Sequence, residues 1–308
     1  MASIVEAGQL VWGLQLPVQS QSTIYAQPWE SSAGPAELAH VAEAADRAGA
    51  FYVAVCDHIA IPQPLDEKMS GTWYDTIATL GWLAARTTRT HLLSHVAVLP
   101  YRHPLVTAKQ WTTLDALSGG RAILGVGAGH VEGEFDVLGV DFASRGALLD
   151  AAIGEVRSAF EHDVVHGAVV RPRPVRVGGP PIWVGGSSVP AMRRAARLGD
   201  GWLPQGPPKM GMRAAVDFIR TERAAQVGDD VPLNLGGFTE PIYVGDAGWD
   251  VGEWTATGSP DAVAERLARY RKLGLSHLQV RFPSRSADEL AEQLERFGVE
   301  VWPRMLEL

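Results

Sequence analysis

PLVTAKQWTTLDALSGGRAILGVGAGH, residues 104–130, contains a passage from a helix into a strand and the loop that leaves the strand. Pro104 to Leu117 reads as a helix opening on proline, which a first turn tolerates. Arg121 to Val126 is a compact apolar run of strand type. The same alternation recurs on both sides. Toward the N-terminus, strands are predicted at Leu10–Leu16, Phe51–Cys56 and His91–Leu99, with helices at Pro35–Gly49 and Thr72–Arg86. Toward the C-terminus, a helix over Ser144–His162 is followed by a hairpin-like segment, Val164–Gly179, rich in Val, Arg and Pro. Strands Ile182–Val184, Gly201–Leu203, Leu233–Val244 and Leu275–Phe282 follow. They alternate with helices at Val189–Leu198, Lys209–Val227, Pro260–Lys272 and Ala287–Trp302.

Eight strands, each followed by a helix, predict an α/β fold: a single closed (β/α)8 TIM barrel spanning 1–308. Residues 164–179 form an insertion between the fourth helix and the fifth strand. An open doubly wound sheet is the alternative, because periodicity does not reveal closure.

Composition narrows the function. The 308 residues carry 27 basic and 35 acidic side chains, a net charge of -8, the wrong sign for a nucleic-acid partner. The single cysteine, Cys56, cannot form an internal disulfide. No basic residue precedes Arg47, so the start lacks the positive region of a secretory signal, and no apolar run reaches membrane-spanning length. These features predict a cytoplasmic enzyme or ligand-binding protein acting on a small molecule, with no membrane or nucleic-acid partner.

A barrel of this kind carries its active site at the C-terminal ends of the strands. The second strand runs out into Asp57 and His58. Imidazole titrates near neutral pH, so His58 is a candidate acid or base, although an Asp cap and a space-filling His explain the pair equally well. Neighbours on a strand face opposite ways, so the two need not touch. Past Val126, Gly127, Ala128 and Gly129 allow close backbone approach to a ligand, or simply make a tight turn, and His130 is a second candidate acid or base. The spacing is not the dinucleotide fingerprint. Gly185, Gly186, Ser187 and Ser188 precede a helix, a pattern suited to a phosphate and also to ordinary serine capping.

Metal is not expected. His91 and His95 share a strand face but lie about 13 Å apart. His162 and His166 lack the glutamate of the metalloprotease motif. Trp73, Trp82 and Trp202 are candidates for the barrel mouth.

Several stretches resemble the luciferase-like monooxygenase family, barrel oxidoreductases that use flavin mononucleotide (FMN) or the deazaflavin coenzyme F-420. They are Val55-Cys56-Asp57-His58, Val98 to Pro104, Leu114 to Gly129, and Trp183 to Ser187 with Gly199-Asp200-Gly201-Trp202. The resemblance implies a non-prolyl cis peptide at His95-Val96, against the cofactor ring. It implies that Asp57 and His58 lie beside that ring and that Gly185 to Ser188 hold the cofactor phosphate. The family's sugar-phosphate dehydrogenases carry a catalytic Glu where this chain has His130, which argues against glucose 6-phosphate chemistry. The paired histidines of bacterial luciferase are absent at the second strand end. The resemblance therefore favours coenzyme F-420, with FMN and monooxygenation as the alternative. A non-catalytic binding protein remains a third reading, and the family's habit implies a homodimer.

Overall fold

The computed structural model describes residues 3–23, 25–228 and 231–308. Eight parallel strands form the sheet: β1 (Val11–Gln15), β2 (Tyr52–Val55), β3 (His91–Ser94), β4 (Ala122–Gly127), β5 (Ile182–Gly185), β6 (Gly201–Leu203), β7 (Asn234–Phe238) and β8 (His277–Gln279). Each pairs with the next, and β1 pairs with β8 through Val11 opposite His277. An open doubly wound sheet would leave two edges, whereas here β8 returns to β1 and the barrel closes.

The main helices between the strands are α1 (Pro35–Arg47), α2 (Thr76–Ala84), α3 (Pro104–Ser118), α4 (Arg145–Glu161), α5 (Val189–Leu198), α6 (Met212–Gln226), α7 (Pro260–Leu267) and α8 (Ala287–Arg296). Short polar side chains set where many begin. Asp75, Ser188, Ser259 and Ser286 each accept a backbone N–H of the first turn of α2, α5, α7 and α8. The strands are apolar on both faces because both are covered. Their outward residues pack on the helices. Inside the barrel, Tyr52, Ala54, Leu93, Ile123, Trp183 and Leu203 form a separate cluster. Trp183 stacks on His277 at 4.3 Å, with the Tyr52 ring edge-on to both. Glycines 13, 201 and 236 make room for these rings, since a Cβ at each would lie within 2.6 Å of one. These rings fill the lumen below the C-terminal ends of the strands.

Three expectations need correction. The third strand is not continuous from His91 to Leu99. It stops at Ser94, passes a cis peptide at His95-Val96, and resumes as Ala97–Val98, still paired with β4. The seventh strand ends at Phe238, because Pro241 has no N–H to continue the ladder. Ile242–Val244 pairs instead with Ala256–Gly258 outside the barrel. The connection from β4 to α4, where no element is predicted, contains a helix at Glu132–Leu138. Within 164–179, Val164–Val165 and Ala168–Val169 form an antiparallel hairpin. No helix among the described residues is long and apolar enough to cross a membrane.

Candidate active site

The exit of β2 sends its two polar residues to different tasks. The Asp57 carboxylate is buried and receives two bonds of 2.6 Å from the Arg102 guanidinium. It also accepts the Val98 amide at 2.7 Å and the Thr76 hydroxyl at 3.1 Å. Its lone pairs are engaged within the protein. Asp57 therefore ties the segment after the cis peptide to β2 and α2.

His58 faces the mouth. Its Nδ1 lies 2.9 Å from Oε2 of Glu134, its ring packs against Trp73 at 4.4 Å, and the His130 ring meets it edge-on at 5.8 Å. Glu134 is fully buried, and comes from the helix that the sequence reading missed. Its Oε1 accepts the amides of Ile59 and of Ala60, the latter at 3.1 Å, and its Oε2 also accepts the Tyr101 hydroxyl at 3.0 Å. Burial works against charge on Glu134, but the bonds from His58, Ile59 and Ala60 prevail and hold its pKa below the usual carboxylate value. Burial and the neighbouring Glu134 charge push the Tyr101 phenol upward. His130 sits exposed at the rim; desolvation by its surroundings and then the nearby His58 lower its pKa.

The cis peptide shapes the floor of the mouth. Val96 lies over the backbone of β4 and β5: a Cβ on Gly127 would meet Val96 Cγ2 at 2.5 Å, and one on Gly185 would meet Cγ1 at 2.7 Å. Both positions must lack a side chain for Val96 to occupy this place. Gly129 is closed off in a different way, against Phe135 and Val98, with Ala128 half-buried beside it. The His95 ring is buried and neutral, its pKa driven down to about 4 by desolvation. Its Nε2 accepts the Gln205 amide at 3.0 Å and its Nδ1 reaches Gln15 Oε1 at 3.4 Å. Both ring nitrogens are satisfied, so His95 is part of the floor and is not a proton donor.

Three strands from His58, the loop after β5 starts α5. Gly186 adopts φ 121°, which suits glycine, and a Cβ there would lie 2.7 Å from that of Ala191. Its N–H bonds Leu203 and its carbonyl accepts Trp202 Nε1 at 2.8 Å. The Ser187 hydroxyl donates to Gly206 O at 2.6 Å and accepts the Gln205 amide at 2.9 Å. Ser188 caps α5. Both hydroxyls thus hold the loop in shape. At the start of α5, Pro190 has no N–H and that of Ala191 is taken by Ser188, so what this turn offers an anion is the Val189 amide and the helix dipole.

The sequence candidates therefore divide. His58, His130 and Trp73 share one wall; His95, Val96, Gly127 and Gly185 make the floor; Gly186 to Ser188 lie across the mouth. Trp202 is buried beneath that loop, and Trp82 lies on α2 under Arg86, so neither lines the wall. Glu134 and Tyr101 went unread. The spacing of Val131, Phe135 and Leu138 before Gly139 is the helical signal that would have exposed Glu134.

The sequence profile of the luciferase-like monooxygenase family matches residues 13–247, the part of the chain that builds this mouth. The chain belongs to that family. An uncharacterized protein of Mycobacterium tuberculosis (strain ATCC 25618 / H37Rv) is 35% identical over 185 residues, 54% of this chain and 64% of its own length. The chain thus spans less than two thirds of that relative. An F-420-dependent glucose-6-phosphate dehydrogenase of Intrasporangium calvum is 27% identical over 337 residues, covering 89% of this chain and 97% of the relative. The fold is shared with the oxygenating constituent of 3,6-diketocamphane monooxygenase of Pseudomonas putida, solved with FMN. That match has a TM-score of 0.69 at 15% identity and covers 96% of this chain and 98% of the other. Proteins similar to this chain thus include one dependent on F-420 and, sharing its fold, one solved with FMN.

Proposed function

We propose that this luciferase-like protein transfers hydride between coenzyme F-420 and a small organic substrate. The observation that carries the reading is the meeting of His58, His130 and Trp73 on one wall beside a floor of Val96 seated on Gly127 and Gly185 and a helix N-terminus. The cofactor's shape and charge suit these features. Val96, seated on Gly127 and Gly185, gives a flat apolar support for a ring system. The first turn of α5, beyond Gly185, Gly186, Ser187 and Ser188, suits a phosphate despite the chain's negative charge. Gly127, Ala128 and Gly129 border the same floor.

Coenzyme F-420, when bound, supplies the hydride chemistry. The protein supplies orientation and a proton path. Hydride transfer to or from an organic substrate leaves one proton to be balanced, and His58 is placed to give or take it. His130, at the rim, passes that proton to or from solvent. The full-length match to an F-420-dependent dehydrogenase favours the deazaflavin over FMN, while His130 in place of that branch's glutamate points away from glucose 6-phosphate.

Turnover of reduced F-420 across a panel of carbonyl and conjugated-alkene compounds tests the reading. His58→Ala should abolish substrate-dependent oxidation, and His130→Ala should slow it. Full activity in the His58 variant would sink the assignment, and binding without turnover on any compound would favour a carrier. The family likeness also leads us to propose a homodimer, which sedimentation velocity would measure.

A further inference from the structure

We infer that Glu134 is the positioning residue of the mouth: it holds His58 in the Nδ1–H tautomer and leaves Nε2 as the basic nitrogen. The inference rests on the reading of His58 as the proton-transfer group.

The hydrogen-bond arithmetic around Glu134 leaves one arrangement. Oε1 faces two backbone amides, Ile59 and Ala60, which can only donate. Oε2 faces the Tyr101 hydroxyl at 3.0 Å and His58 Nδ1 at 2.9 Å. A fully buried carboxylate that accepts two amides is most stable ionised, and an ionised carboxylate has no proton to give. The hydrogen between Glu134 and His58 therefore resides on Nδ1. In neutral His58 the other nitrogen, Nε2, then carries a lone pair, and no partner meets it among the described residues. The groups facing the ring are Glu134 from the helix at 132–138, His130 from the loop after β4, and Trp73 from the loop before α2, while Tyr101, from the turn after β3, meets Glu134 beside it.

The same arithmetic predicts what an isosteric change does. In Glu134→Gln the carboxamide oxygen stays with the two amides, because an NH2 group there would face two donors. The NH2 group then occupies the Oε2 position and donates to His58 Nδ1, which must accept. The tautomer reverses: Nε2 gains the proton and ceases to be a base. A carboxylate that only filled space would give no such reversal.

Nitrogen-15 NMR of histidine-labelled protein without cofactor reads the tautomer directly. Wild-type His58 should show a proton-bearing Nδ1 and a pyridine-type Nε2 once neutral. Glu134→Gln should exchange the two, and lower kcat by on the order of 10²- to 10⁴-fold with KM little altered. Tyr101→Phe, which removes one bond and leaves the carboxylate, should keep the wild-type tautomer. A proton on Nε2 in the neutral wild-type protein, or no exchange in a folded Glu134→Gln variant, would overturn the inference. The wild-type spectrum decides the question even where the variant does not fold. Full turnover in a His58→Gln variant would instead remove the proton-transfer role, while the NMR result would still stand or fall on its own.

Discussion

The floor of the mouth can be tested through the contact between Gly127 and Val96. An added Cβ at Gly127 lies 2.5 Å from Val96 Cγ2, far inside contact distance, yet 3.6 Å from Val96 Cβ, which is ordinary contact. Gly127 sits in a strand with ordinary backbone, so Gly127→Ala alone would gain about 0.4–1 kcal/mol from the unfolded state. Against this stands an overpacking penalty of about 1–3 kcal/mol. The net expectation is destabilisation by about 1–2 kcal/mol. Val96→Ala, at a half-buried position, should lose about 1 kcal/mol through its two missing methyl groups. In the double variant the methyl at 127 enters the space Cγ2 has left, so stability should return to near that of Val96→Ala alone. The coupling is then about 1–2 kcal/mol. Urea unfolding of the four proteins, followed by tryptophan fluorescence, measures it. Losses that add to within about 0.5 kcal/mol would refute the claim that the glycine exists to seat Val96.

Further outcomes follow from other parts of the site. Asp57→Asn leaves the Arg102 guanidinium without its buried counter-charge and should lose about 3–5 kcal/mol of stability, read by urea unfolding; a loss below about 1 kcal/mol would mean that the pair is not a brace. Ser187→Ala removes both bonds between the loop after β5 and the 205–206 segment, and should weaken cofactor binding about 5- to 20-fold by titration at an exchange of about 1–2 kcal/mol. Burial lowers His95 to about 4 and His277 to about 3, so both are neutral when folded and take up protons on unfolding. Stability is complete above their ordinary value near 6.5 and falls as pH drops from there toward 4 and 3, by up to about 1.4 kcal/mol per unit for each ring. Glu134, held low, adds a loss in the same direction as pH falls below the carboxylate range. Thermal unfolding between pH 7 and 4 should show this slope, and His277→Gln should flatten it.

The architecture was legible because each βα unit repeats the same two periods, and eight repeats at this length leave little besides a barrel. Closure itself was not legible, since it resides in the pairing of Val11 with His277, residues far apart in sequence. The interruption at His95-Val96 could be placed only by resemblance. Nothing in the local apolar pattern distinguishes a bulge there from a continued strand, because Val96 and Ala97 are both strand formers. Asp57 and His58 were found by position, but their tasks were not: only the fold shows that Arg102 claims the carboxylate. Gly127 suggests close ligand approach and Gly185 a phosphate loop, and the structure shows the Val96 side chain filling the space both leave. Ser187 was read as a phosphate group partner, and its hydroxyl is committed to Gly206 and Gln205. Glu134 was missed because its helix interrupts a connection that the barrel pattern treats as loop.

The most direct test of the proposed chemistry is a spectroscopic titration of the purified protein with coenzyme F-420 and, in parallel, with FMN. Saturable F-420 binding that exceeds FMN binding, and that Ser187→Ala weakens, is the predicted result. Tight FMN binding with no affinity for F-420 would contradict it and make this chain a flavin enzyme.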